Sequence, residues 1–121
     1  MIYKTSEING VQFDLAVARA LGASPPFAPG KCRDVVGLVE VPSYEYDDDY
    51  LPSSNWAHGG PIIEREGIEI WKWKGDDGTY WCAHVGGRRV DTDAKESIGD
   101  TPLVAAMRAF VAAKLGAEVD L

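Results

Sequence analysis

Side chains able to do chemistry crowd into one stretch of this 121-residue chain, Trp56-Ala57-His58-Gly59-Gly60-Pro61-Ile62-Ile63-Glu64-Arg65-Glu66-Gly67-Ile68. An imidazole, carboxylates, a guanidinium and an indole stand beside a Gly59-Gly60-Pro61 turn. A turn of that kind ahead of a short helix leaves backbone amides free at the positive end of the helix, where an anion binds. Arg65, Arg88 or Arg89 would complete such a site. His58, Glu64 and Arg65 are also the residue types of an acid–base set, in which one group moves a proton and a cation holds developing charge. Glu64 and Glu66 are not a carboxylate pair, because two helical residues leave them about 160° apart. Helix geometry explains the same residues without a ligand: the glycines permit the turn, Pro61 suits the first helical position and Gly67 stops the helix.

Other chemistry-bearing residues are scattered. Cys32, His58, Cys82 and His84 are the ligand types of a tetrahedral zinc site, but no Cys-x-x-Cys or His-x-x-x-His half-site exists. Glu45, Asp47, Asp48 and Asp49 lie among Tyr44, Tyr46 and Tyr50 without the alternating ligands and central glycine of a calcium loop, so a solvated acidic loop is expected. The tryptophans carry a stronger signal. Trp56, and the set Trp71, Trp73 and Tyr80, are of the type that anchors partners or stacks on planar ligands.

The elements that must position these residues follow from pattern. Residues from Gly10 to Leu21 read as a buried helix, with Val11, Leu15 and Ala18 on one stripe and Phe13, Val17 and Leu21 on the next, closed by Gly22. The proline-rich stretch from Ala23 to Gly30 is a loop. Val35 to Val41 reads as a short strand ending at Pro42. Ile68 to Lys74 and Thr79 to Val85 read as a hairpin in which Trp71 faces Cys82, Trp73 faces Tyr80 and Glu69 faces His84 as an ion pair. Both faces of that hairpin carry apolar bulk, so the aromatic face needs a cover: a loop, a ligand or a second copy of the chain. Gly86 to Gly99 reads as a polar loop. Asp100-Thr101-Pro102 then caps a helix to Leu115, with Leu103, Met107, Phe110, Val111 and Leu115 in the core and Arg108 and Lys114 on the wet side.

Composition bounds the rest. The length suits a single domain, residues 1–121, with 45% hydrophobic and 26% charged residues, an ordinary globular balance. A net charge of −7 repels polyphosphate, which argues against nucleic acid as a partner. No apolar run reaches membrane-spanning length and no leader pattern opens the chain, so a cytoplasmic protein is expected. Two cysteines without a framework read as free thiols.

Lys4-Thr5-Ser6-Glu7 with the helix around Asp14-Leu15-Ala16-Val17-Ala18, the block from Trp56 to Ile68, and Gly99-Asp100-Thr101-Pro102-Leu103-Val104-Ala105-Ala106-Met107-Arg108 together resemble the NinX-like family of tailed phages and prophages. The resemblance runs from the first helix through Val119. It implies an uncharacterised accessory protein of the lambdoid phages, acting in the cytoplasm of a bacterial host. His58 stands where the family pattern has glutamine, and an amide cannot replace an imidazole in acid–base chemistry.

The expected fold is α+β, a small and mainly antiparallel three-stranded sheet packed by two main helices and one short helix. The expected function is non-enzymatic binding of a host protein or a small anionic ligand, with no cofactor or metal and no membrane or nucleic-acid partner. The binding residues would be Trp56, His58, Gly59, Gly60, Glu64, Arg65, Trp71, Trp73 and Tyr80. The alternatives are a small hydrolase or transferase built on Glu64, His58 and Arg65, and an acidic decoy that occupies a nucleic-acid-binding host protein.

Overall fold

A computed structural model describes residues 1–23, 30–76, 78–85 and 97–121. The described chain runs β1 (Ile2–Lys4), α1 (Gly10–Ala20), α2 (Cys32–Val35), α3 (Trp56–Glu66), β2 (Glu69–Gly75), β3 (Gly78–His84), β4 (Ile98–Gly99), α4 (Pro102–Leu115) and β5 (Glu118–Asp120). The fold is α+β, with an antiparallel sheet in the order β2-β3-β4 and a separate antiparallel pair, β1-β5.

Helix α4 is the centre of the core. The Thr101 side chain accepts the Val104 amide at 3.1 Å, Pro102 occupies the first turn, and Gly116 ends the helix with φ 91°. Leu103, Ala105, Ala106, Met107, Ala109, Phe110 and Val111 are buried, and the helix contacts α1, α3 and the strands β2 to β5. Arg108 departs from its expected place on the wet side. Its guanidinium donates to the Ile8 carbonyl at 2.9 Å and to the Ile98 carbonyl at 2.8 Å, and lies over the Phe13 ring. Hydrogen bonds to these two carbonyls draw the side chain inward, and burial lowers its pKa.

In α1 the buried side is Phe13, Asp14, Ala16, Val17 and Ala18, while Val11 is exposed and Leu15 half-buried. The buried stripe is therefore rotated toward Asp14, which carries a polar function into the core. Asn9 takes the cap position without a side-chain cap bond, and Gly22 has φ 104°.

The hairpin register is the one read from sequence: Trp71 faces Cys82, Trp73 faces Tyr80 and Lys72 faces Trp81. The strands also run one pair closer to the turn, through Gly75 and Gly78. Ile68, Ile70, Trp81 and Ala83 belong to or pack against the core that includes α4. Glu69 and His84 are opposed but not joined, and Glu69 Oε2 and His84 Nδ1 are buried without hydrogen-bond partners. Side chains lean along their strands, so opposed backbones do not force head groups to meet.

The third strand is not where the sequence placed it. Ile98 and Gly99 pair with Cys82 and Trp81, at the end of the stretch expected to be loop. A Cβ on Gly99 would lie 2.6 Å from the Ala105 amide nitrogen, so the residue allows β4 to meet the start of α4. Residues 35–41 instead leave α2 through turns, with the Leu38 and Val39 amides donating to the Val35 carbonyl. Gly37, at φ 87°, breaks the extended run that the β-branched residues favour. The readings for Ser24–Pro29, and for 86–96 with Arg88 and Arg89, lie outside the described residues.

The segment after this turn is strapped beside residues 30–33. The Cys32 amide donates to the Asp48 carbonyl, Arg33 to Tyr46 and Tyr50 to Gly30, while Lys31 pairs with Asp49 at 2.6 Å and Arg33 with Asp47 at 3.1 Å. The acidic run is thereby fastened to two cations of its own chain.

Candidate functional site

Helix α3 begins at Trp56, not at Pro61. The Asn55 side chain caps it by accepting the Ala57 amide at 2.9 Å, and Gly67 closes it with φ 64°. Asn55, of the type that favours a helix cap, stands six positions before Pro61 and sets this start. Pro61 is inside the helix, where its missing N–H forgoes one internal bond. Gly59 and Gly60 are consequently helical, and the Gly59 amide donates to the Asn55 carbonyl at 2.9 Å. The expected open turn of free amides at Gly59-Gly60-Pro61 does not form.

The two glycines differ in surroundings. A Cβ on Gly59 would stand 2.5 Å from both Leu103 Cδ1 and the Pro52 carbonyl oxygen, whereas one on Gly60 would meet nothing within 4 Å. Gly59 is the place where α3, α4 and the Pro52 segment meet without room for a side chain.

His58 sits in that interior, only 7% exposed. Its Nδ1 accepts the Leu51 amide at 2.9 Å, and its ring stacks on Tyr50 at a centroid distance of 5.3 Å. A ring nitrogen that accepts an amide carries no proton, so the neutral ring bears its proton on Nε2, 3.9 Å from Cys32 Sγ. The Cys32 thiol lies 3.8 Å from the Asp49 carbonyl and can donate to it. The result is a relay in which Nε2–H points at sulfur and S–H points at a carbonyl. Burial lowers the His58 pKa, and burial with the nearby Asp48 and Asp49 charges raises that of Cys32. Both groups therefore favour their neutral forms, the reverse of a thiolate–imidazolium nucleophile.

Asp14, buried in α1, accepts the Ser53 amide at 2.9 Å, and burial raises its pKa. Together Asp14 and His58 hold both ends of the segment from Leu51 to Ser53 against α1 and α3.

The remaining residues of α3 turn elsewhere. Glu64 is exposed and lies about 120° around the helix from the buried His58. Arg65 donates to the Leu38 carbonyl at 2.6 Å and pairs with Glu66 at 3.1 Å, and Lys114 reaches the same Glu66 at 3.4 Å. Trp56 stands 54% exposed at the helix start. Trp56, His58, Gly59, Gly60, Glu64 and Arg65 thus share a helix but not a cleft.

Trp71, Trp73 and Tyr80 form the second group, on the hairpin face turned away from α4. Trp71 and Tyr80 are half-buried and Trp73 is 49% exposed. The Trp73 and Tyr80 rings stand 6.5 Å apart at 30°. Trp73, Lys74, Gly75, Asp76 and Tyr80 line an open depression of about 430 Å³. On the opposite face the Lys72 ammonium lies 5.8 Å from the Trp81 ring.

Of the possible metal donors, Cys32 and His58 meet, while Cys82 and His84 lie apart on the hairpin; among the described residues no three such side chains converge. Both cysteines are free and buried. Sequence reasoning missed Asp14, Tyr50 and Leu51 as partners of this interior. Asp14 was legible as the polar residue flanked by apolar neighbours in α1, but the Leu51 amide carries no side-chain signal.

The family described as Bacteriophage P22, NinX matches residues 4–114 of the chain. No curated protein matches it. Among the described residues no helix is long and apolar enough to cross a membrane.

Proposed function

The chain belongs to the bacteriophage P22 NinX family, and from that premise we propose that it is a non-enzymatic phage accessory protein that binds a host protein in the bacterial cytoplasm. Its contact surface is the aromatic face of the β2–β3 hairpin. The observation that carries this reading is the exposure of Trp73, 49%, on a ribbon whose other face is packed on α4. An indole held on a rigid strand loses little entropy when a partner covers it, and such residues dominate binding energy.

The other readings have less support. An anion at Gly59 and Gly60 lacks the open helix start it required. Catalysis by Glu64, His58 and Arg65 lacks convergence, because both His58 nitrogens have partners inside the fold and Glu64 faces away. The acidic decoy draws on residues of which Asp47 and Asp49 already pair with Arg33 and Lys31.

Affinity capture from host cells with three forms of the protein tests the proposal. The partner is retained by the wild type and by a form with Asp47, Asp48 and Asp49 changed to Asn, and is lost from Trp73→Ala/Tyr80→Ala. Retention by the aromatic variant with loss from the neutralised loop would establish the decoy instead. Sedimentation of the wild type distinguishes a second copy of the chain as the occupant.

A further inference from the structure

We propose that Asn9-Gly10 is a self-modifying site, at which the Gly10 amide nitrogen attacks the Asn9 carboxamide and the asparagine becomes a mixture of aspartate and isoaspartate. Of the two asparagines in the chain, Asn9 precedes glycine and Asn55 precedes tryptophan. Glycine has no Cβ to shield the attacking nitrogen. A Cβ on Gly10 would meet only Gln12 Oε1, at 3.9 Å, and Asn9 and Gly10 are both exposed, so the approach is open.

The start of α1 favours the attack further. Gly10 is the first helical residue, where a backbone N–H has no partner within the helix, so no helical bond must break before it gives up its proton. The positive end of α1 stabilises the amide anion that attacks. The Asn9 carboxamide is loosely held: it makes no cap bond, and its Nδ2 reaches only the Glu7 carbonyl, at 3.4 Å. Asn9 is extended, with ψ 174°, so ring closure needs a turn about that bond. The bond that resists the turn runs from the Phe13 amide to the Asn9 carbonyl, and at 3.4 Å it is long. Asn55 is held firmly instead. Its side-chain oxygen accepts the Ala57 amide at 2.9 Å, and its carbonyl accepts the His58 amide at 3.0 Å and the Gly59 amide at 2.9 Å.

The steps balance with water as the sole co-reactant. The Gly10 nitrogen gives up its proton and bonds to Asn9 Cγ, the Cγ–Nδ2 bond breaks, and ammonia leaves with that proton. The cyclic imide then carries two carbonyls on the Gly10 nitrogen. Water opening the Cγ side restores the main chain with aspartate at position 9, and water opening the other side routes the main chain through Cγ as isoaspartate. The aspartate places a negative charge at the N-terminus of α1, whose first turn has no acidic residue. The isoaspartate lengthens the main chain by one atom beside Ile8, whose carbonyl takes the Arg108 guanidinium at 2.9 Å.

The test is to age the whole folded protein in heavy-oxygen water at mildly alkaline pH and map its tryptic peptides by mass. The peptide of residues 5–19 gives two new species, each with the amide nitrogen lost and one heavy oxygen gained. It converts within about tenfold of the rate of the same peptide free in solution, because only the first turn of a helix has to open. An isoaspartate methyltransferase labels one of the two species, Asn9→Ser removes both, and the peptide carrying Asn55 stays unchanged. A folded protein that does not convert while the free peptide does overturns the proposal. So does a single aspartate product, which marks direct hydrolysis without the imide, or a mass change that persists in Asn9→Ser, which places it at Gln12. Equal conversion of Asn55 overturns it as well, because the local geometry would then select nothing.

Discussion

His58 Nδ1 accepts the Leu51 amide at 2.9 Å, so an imidazole at the first turn of α3 anchors the strap that leads into that helix. The acceptor must be unprotonated, and this sets how the fold responds to acid. Burial lowers the His58 pKa from its ordinary 6.5. The unfolded chain therefore binds this proton first, and the His58 contribution to stability falls as pH drops below about 6.5 toward the lower folded value. Asp14 has its pKa raised, so acidification relieves its burial cost and acts in the opposite sense. The difference between wild type and His58→Gln in urea melts from pH 7.5 to 5 isolates the histidine term. The wild type loses stability relative to the variant across that range, and a flat difference would remove the clip from this account.

Glutamine at position 58 supplies a carbonyl oxygen where Nδ1 now accepts. At neutral pH His58→Gln should stay within about 1 kcal/mol of the wild type, while His58→Ala loses about 2–3 kcal/mol through an orphaned amide and the lost Tyr50 contact. Chemical denaturation measures both, and equal losses would show that ring packing, not the hydrogen bond, is what matters.

Gly59 and Gly60 are adjacent and should respond by different amounts. Gly59→Ala brings a methyl to 2.5 Å from Leu103 and from the Pro52 carbonyl, costing about 1–3 kcal/mol. Gly60→Ala meets nothing beyond its chain neighbours, but the Pro61 ring opposes a Cβ on the helical residue before it, which offsets the gain in helix propensity and holds the change within about 0.5 kcal/mol. Thermal melts of the two variants read the difference directly.

Arg108 joins the segment before α1 to β4 across the end of α4. Arg108→Met keeps the length but leaves the Ile8 and Ile98 carbonyls without their donor, a loss of about 3 kcal/mol. Arg108→Lys restores only part of it, because one ammonium cannot span both carbonyls as the fork does. Full recovery with lysine would mean that charge alone is required.

Cys32 and Cys82 are buried, and burial raises both thiol pKa values. A disulfide reagent at pH 7.5 should label neither until the chain unfolds, after which both react. Rapid labelling of one thiol in the native protein would show that its covering structure opens locally.

Much of the fold was legible because it depends on local rules. The hairpin register followed from two glycines and the alternation about them, and α4 from Thr101-Pro102 and Gly116. The errors came where a distant partner decides. Val35 to Val41 has strand-like residues but no strand to pair with among the described residues, while Ile98-Gly99, too short to show a period, pairs with β3. Arg108 looked solvated because carbonyls 100 residues away in sequence, at Ile8, leave no trace in local pattern. In the candidate site, Trp73 and Tyr80 were found as a pair from register alone. Pro61 as a first-turn residue puts His58 and the two glycines in a turn, and the Asn55 cap six positions earlier decides otherwise.

Helix α4 meets α1, α3 and the strands β2 to β5, yet it is synthesised after all of them except β5. During translation the apolar sides of α1 and α3 and the inner face of the hairpin leave the ribosome before their common partner exists. The nascent chain can form local turns and the hairpin, but its core closes only after Leu115 has emerged. Ribosome-bound chains cut short within α4 should therefore remain protease-sensitive over their whole length, and protection should arrive in one step as that helix is completed.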